Sequence, residues 1–194
     1  MRLVHHQQFK LRPDYFDHQS SLHGINHTYR VMLHVLNIGQ KANLDGEILP
    51  AWCAAYIHDM ARKHDGYCTE HGAWSANTKL PIFRGFFAQQ GVDTDGLRAI
   101  KAAVANHSVR HEMTHQHPYY KITALLKDAD ALDRIRISET NLKVKYLRYP
   151  VTASLVDFAK ALYYATPNKE LSSFDELLQI AETIGGVSFG ELIG

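Results

Sequence analysis

The stretch Leu49-Pro-Ala-Trp-Cys-Ala-Ala-Tyr-Ile-His-Asp-Met-Ala-Arg62 decides how this chain folds. Leu49, Trp52, Cys53, Tyr56, Ile57 and Met60 recur at three and four residues, the spacing of one helix face. Ala51, Ala54 and Ala55 fall on the other face, where small side chains let a second helix approach closely. The segment is therefore expected to be a central helix, covered on both sides, that starts after Asp45 and Gly46 and reaches about residue 62. His58 and Asp59 stand in its last turn. Polar groups in so apolar a setting are informative, because a buried charge is costly unless it is paired or bound to a metal.

The neighbouring segments repeat the helical pattern. A helix is expected over 26–42, with Asn26 as its N-cap. Another should run from about 69 and stop before Pro81. A fourth covers 94–107, with Leu97, Ile100 and Val104 inward. A fifth opens at Pro118, a good first-turn residue, and ends near 135. Two more are expected over 151–164 and 174–184. Residues 1–22 read as irregular. Residues 143–149 alternate somewhat and admit a short strand, but β signals are otherwise sparse, and the fold class is all-α.

The composition is that of an ordinary globular protein. Of 194 residues, 45% are hydrophobic and 21% charged, which fits one domain over 1–194 with a sizeable core. Lys and Arg number 21 against 20 Asp and Glu, so the basic excess of a general nucleic-acid binder is missing. No apolar run approaches the roughly 20 residues that span a bilayer, and residues 1–10 lack the apolar core of a signal peptide. Cys53 and Cys68 make no disulfide framework; Cys53 reads as a buried free thiol. The expected location is the cytoplasm. The unusual count is 13 histidines.

Four helices place a ligand-type residue at an end or on an inner face. His27 opens the first helix, His58 and Asp59 close the central one, His107 extends the stripe Ile100–Val104, and Asp130 extends the stripe Ile122–Leu126. Imidazole and carboxylate together suit Zn, Mn, Fe, Co or Ni better than Ca. Taken singly, each residue has a plainer explanation, such as a hydrogen-bonded core histidine or a solvated helix-end Asp; their order along the chain is what selects the metal reading. Asp128 points about 200° from Asp130 on an ideal helix, so the two cannot ligate one ion, whereas Asp133 shares a face with Asp130.

That order, in "HGINHTYRV", "AAYIHDMAR" and "ALLKDADALDRIR", resembles the HD superfamily of metal-dependent phosphohydrolases over about residues 20–136, leaving 137–194 as a C-terminal helical extension. The flanks agree as well: Arg30 and Val31 follow the first His, and Ala129 and Leu132 bracket Asp130. The resemblance implies an HD-type helical bundle with extra C-terminal helices, and a metal held by His27, His58, Asp59 and Asp130. It also implies a second ion on His71 and His107, bridged by Asp59, the alternative being a mononuclear site in which these two histidines contact substrate or solvent. Arg62 falls where a catalytic Lys or Arg often occurs, against the plainer reading of a helix-end cation. His23 reads as a neighbour of the site, and His111, His115 and His117 as solvent-facing.

The implied function is hydrolysis of a phosphate ester or anhydride, possibly of a nucleotide, with one or two divalent ions (Mn, Fe, Co, Ni, Zn or Mg). The expected catalytic residues are Asp59, Arg62 and Asp133, with Asp59 or Asp133 orienting water. Arg62 and Arg30 are expected to bind the phosphate, although Arg30 also reads as a structural cation paired with an Asp. The alternatives are a di-iron oxygenase of the HD type and a non-catalytic nucleotide-binding module.

Overall fold

A computed structural model describes residues 5–166 and 168–185. Among them are eight α-helices and no strand: α1 (Ile25–Lys41), α2 (Asp45–Ile57), α3 (His71–Thr78), α4 (Leu80–Gln89), α5 (Thr94–His107), α6 (Tyr120–Leu132), α7 (Val156–Ala165) and α8 (Phe174–Gly185). The all-α expectation holds. Helix α2 packs against α1, α5 and α6, α3 lies on α5, and α7 and α8 lie against α1. As its pattern predicts, α2 is central: residues 51–57 are all buried.

Several boundaries differ from the sequence reading, each for a local reason. Helix α2 ends at Ile57, and His58 and Asp59 occupy a turn. Tertiary bonds claim the backbone there: Ala61 N–H donates to Ser75 Oγ at 3.0 Å, and Asp17 N–H to the Met60 carbonyl at 2.9 Å. Helix α4 was not anticipated; Pro81 does not end the helical region but sits in the first turn of α4, where its missing N–H has no helical acceptor to lose. Asn26 is not the N-cap. Gly24 is, since a Cβ there would lie 2.3 Å from the Ser20 carbonyl. Asn26 instead ties down the C-terminal segment, donating to the Lys169 carbonyl at 2.9 Å and accepting from Leu171 N–H at 2.8 Å.

Residues 143–149 form no strand; Val144–Tyr146 is a single 3₁₀ turn. The helix expected over 151–164 divides into a 3₁₀ segment, Pro150–Leu155, and α7. The N-terminal segment carries no long helix, yet Phe9, Leu11 and Phe16 are buried in the core. No helix among the described residues is long and apolar enough to cross a membrane.

Asp128, fully buried on α6, faces away from Asp130 and pins the following segment. It accepts from the backbone N–H groups of Arg148 and Tyr149 and from Thr152 Oγ1, each at 2.9 Å, and from Arg148 Nη1 at 3.1 Å. Asp128→Ala would leave these buried donors unpaired. It is expected to lower the unfolding free energy by about 3 kcal/mol in urea titrations, with the metal content of the folded protein unchanged.

His34 is fully buried on α1, with no hydrogen-bond partner for either ring nitrogen among the described residues. Burial pushes its pKa down to about 4. An unfolded histidine takes its proton near pH 6.5, so between pH 6.5 and 4 the unfolded chain binds a proton that the fold refuses. Stability therefore falls as the pH drops through that window. His34→Leu should flatten the measured pH slope of unfolding free energy there by about 1.4 kcal/mol per pH unit.

Candidate metal centre

Five helices end or start around one point. His27 comes from the first turn of α1, His58 and Asp59 from the turn after α2, His71 from the start of α3, His107 from the end of α5, and Asp130 from the last turn of α6. Every one is buried except Asp130, whose side chain is 21% exposed. Gly72 makes the α3–α5 approach possible. A Cβ at Gly72 would lie 2.5 Å from the Val104 carbonyl and 3.0 Å from His107 Nδ1, so this glycine lets the rings of His71 and His107 come to 4.8 Å between centroids.

The tautomers follow from the partners of Nδ1. His58 Nδ1 lies 2.7 Å from the Ala55 carbonyl, His107 Nδ1 2.7 Å from that of Val104, and His71 Nδ1 2.9 Å from that of Cys68. His27 Nδ1 lies 2.7 Å from Asp133 Oδ2. These oxygens can only accept, so all four histidines carry their proton on Nδ1 and present the Nε2 lone pair inward. The inward nitrogens meet in two pairs: His27 and His58 Nε2 are 3.1 Å apart, and His71 and His107 Nε2 are 3.0 Å apart. Asp59 lies between them. Its Oδ2 is 3.4 Å from His27 Nε2 and 3.7 Å from His58 Nε2, and its Oδ1 is 3.0 Å from His71 Nε2 and 3.5 Å from His107 Nε2. Asp130 Oδ1 joins the first pair, 3.5 Å from His27 Nε2.

Asp59 Oδ1 and Asp130 Oδ1 are buried without a hydrogen-bond partner among the described residues. Lone pairs facing lone pairs beside unpartnered carboxylate oxygens are unfavourable unless a cation lies between them. The donor set fits one: nitrogen and oxygen from buried, pre-oriented side chains, with His27, His58 and Asp130 forming one group and His58, Asp59 and His107 another. Burial pushes the His58 pKa down to about 3, which keeps its lone pair free. Burial alone would raise the Asp59 carboxyl, but the surrounding His58, His107, His23 and His27 hold it well below the usual carboxylate range. Asp130 is likewise held down against burial by Arg136, then His27 and His58.

Three carboxylates are matched by three guanidiniums. Arg30 Nε and Nη2 lie 2.5 and 3.0 Å from the two oxygens of Asp133, Arg136 Nη1 is 3.6 Å from Asp130 Oδ1, and Arg62 Nη1 is 3.7 Å from Asp59 Oδ1. Of the two readings of Arg30, the structure shows the cation paired with an Asp and not a place at the phosphate: it is 3% exposed and committed to Asp133. Asp133, expected either at the water or orienting a neighbouring side chain, is 1% exposed and holds Arg30 and His27 Nδ1; it fixes the His27 ring from behind. Arg136 escaped the sequence reading, although it closes the third quoted stretch, because the 3₁₀ turn Asp133–Arg136 that brings it beside Asp130 is not readable from helical spacing. His23 is nearer than expected, with Nδ1 2.9 Å from Asp59 Oδ2 and 3.2 Å from Arg136 Nη2. His111, His115 and His117 are exposed, as anticipated.

With the cluster in view, comparison with known proteins is decisive on one point: the HD domain family model matches residues 24–135. The chain belongs to the HD domain family. That family is a superfamily of metal-dependent hydrolases with a helical-bundle fold. No curated protein and no solved structure matches this chain.

Asp133→Asn tests the orienting role within this HD domain. It should lower divalent-metal affinity about 10–100-fold, measured by calorimetry, because an amide cannot fix the His27 tautomer as a carboxylate does. Unchanged affinity would show that His27 is held otherwise.

Proposed function

We propose that this protein is a phosphohydrolase that uses two divalent ions to cleave a small phosphate ester or anhydride. The observation that carries the reading is the pairing of four Nε2 lone pairs across one carboxylate. His27, His58, Asp130 and Asp59 Oδ2 would hold one ion; His71, His107 and Asp59 Oδ1 would hold the other. A carboxylate can bridge ions roughly 3.5–4 Å apart, the spacing of two-metal hydrolysis. Bound there, such ions supply Lewis acidity toward a phosphoryl oxygen and make water a better nucleophile.

The side chains supply the rest. Arg62 is 7% exposed and charged at every physiological pH, so it suits binding of a phosphate and of the charge that develops on it. Arg136, 3.6 Å from Asp130 Oδ1, adds positive charge beside that carboxylate. Asp59 and Asp130, both ionised, are the carboxylates able to orient water. Asp133 and Arg30 fix His27. A nucleotide is the substrate class suggested by the family, and the whole chain, extension included, is proposed to act as one unit in the cytoplasm.

The test is turnover by purified full-length protein on a panel of nucleotides, sugar phosphates and phosphoanhydrides, with Mn, Co, Ni, Mg and Zn supplied separately. Release of phosphate or a phosphorylated product is expected, falling to background in Asp59→Ala. Turnover only with iron and consumption of dioxygen would replace this reading with an oxygenase. Metal binding with nucleotide binding and no turnover would make the protein a binding module.

A further inference from the structure

We propose that Arg62 is a built-in competitor of the second ion: its guanidinium neutralises the Asp59 Oδ1–His71 side of the centre, so the protein takes one divalent ion tightly and a second only as Arg62 gives way. This rests on reading the cluster as a two-ion centre.

The two halves are chemically unequal. The His27–His58 half has oxygens from two carboxylates, Asp59 and Asp130, on hand. The His71–His107 half has one oxygen, Asp59 Oδ1, and it is the side where a cation is already in place. Arg62 Nη1 lies 3.0 and 3.1 Å from the two nitrogens of His71 and 3.7 Å from Asp59 Oδ1. It thus lies across the ring whose Nε2 would ligate the second ion. Arg136 also stands near a ligand oxygen, but it touches neither His27 nor His58. Its Nε donates to the Leu22 carbonyl at 2.8 Å and its Nη1 to that of Asp133 at 3.1 Å, which hold it to the side.

Charge sharpens the difference. Asp59, Asp130 and Asp133 are already balanced by Arg62, Arg136 and Arg30. A first ion leaves the centre with two positive charges in excess, and a second would bring two more beside a guanidinium that does not deprotonate. Like charges this close in a buried site repel strongly.

Arg62 is also placed to yield. Among the described residues its Nη2 is held by one hydrogen bond, to the Gly66 carbonyl at 2.9 Å in the exposed 63–67 loop, and its Nε has no partner. A phosphate group that paired with Arg62 would draw positive charge away from Asp59 Oδ1. Anion and second ion would then enter together, each strengthening the other.

The test is a Mn titration of metal-free, full-length protein in phosphate-free buffer, followed by calorimetry and by the electron-spin signal of free Mn. Wild type should show one tight step and a second at least about tenfold weaker. Arg62→Gln should strengthen the second step by about tenfold and leave the first nearly unchanged. Arg62→Lys, which keeps the charge, should keep the gap, and His71→Ala should abolish the second step alone. Arg62→Met repeats the neutral substitution should the Gln variant fold poorly. Two equally tight ions in wild type, or the same gap in wild type and both neutral variants, would overturn the inference while leaving the two-ion reading intact. A single step in every variant, or no metal in wild type, would overturn the two-ion reading and the inference with it.

Discussion

Four imidazole lone pairs, meeting two and two at 3.1 and 3.0 Å around one buried carboxylate, are the constraint on which the rest of this structure depends. Each ring has already given its Nδ1 proton to an oxygen that can only accept. A second proton on His58 could relieve its contact with the facing nitrogen, but burial opposes it and pushes the His58 pKa down to about 3. What remains is a cation that carries its charge independently of pH. A divalent metal meets that requirement, and each half of the cluster offers it nitrogen and oxygen together.

Holding such a cluster together demands rigidity, and the fold supplies it at helix ends. Three of the four Nδ1 protons go to carbonyls three residues earlier in the chain: Ala55 for His58, Cys68 for His71 and Val104 for His107. Rotation of these rings therefore costs a hydrogen bond that only the local backbone can return. For His27 the carbonyl three residues earlier, that of Gly24, is taken by both the N–H and the Oγ1 of Thr28, and Asp133 takes the role instead. This explains why a carboxylate so close to the centre is withheld from it: Asp133 is shared between His27 and Arg30, with its pKa held down, against burial, by Arg30 first.

Much of this was legible in the sequence because ligands must interrupt apolar stripes. His58 and Asp59 follow the pattern Trp52–Cys53–Tyr56–Ile57, and Asp130 was separable from Asp128 by helical angle alone. What could not be read depended on tertiary partners. Ser75 and Asp17 bind the backbone that would otherwise continue α2, and both are remote in sequence. Asn26 has the chemistry of an N-cap, but the close approach of Ser20 leaves room there for Gly24 alone. Arg30 read both as a phosphate binder and as a cation paired with an Asp, and the choice could not be made because that partner, Asp133, lies 103 residues away. Pro81 looked like a stop because a proline that ends one helix and a proline that opens the next read alike.

The C-terminal helices lie outside the matched region 24–135, yet they reach the metal centre from behind. The Arg30 guanidinium, held by Asp133 on one side, lies 5.2 Å from the ring centroid of Tyr163 on α7. The residue next to His27, Asn26, clamps Lys169 and Leu171 ahead of α8. Tyr163, Arg30, Asp133 and His27 thus form a continuous chain of contacts from the extension to the candidate metal centre. A guanidinium buried this deeply would otherwise face the gap left by α7, and its hold on Asp133 would be shared with water. The extension therefore completes the wall that keeps the Asp133 carboxylate on His27, and the family motif at 24–135 does not contain everything that fixes its own first histidine.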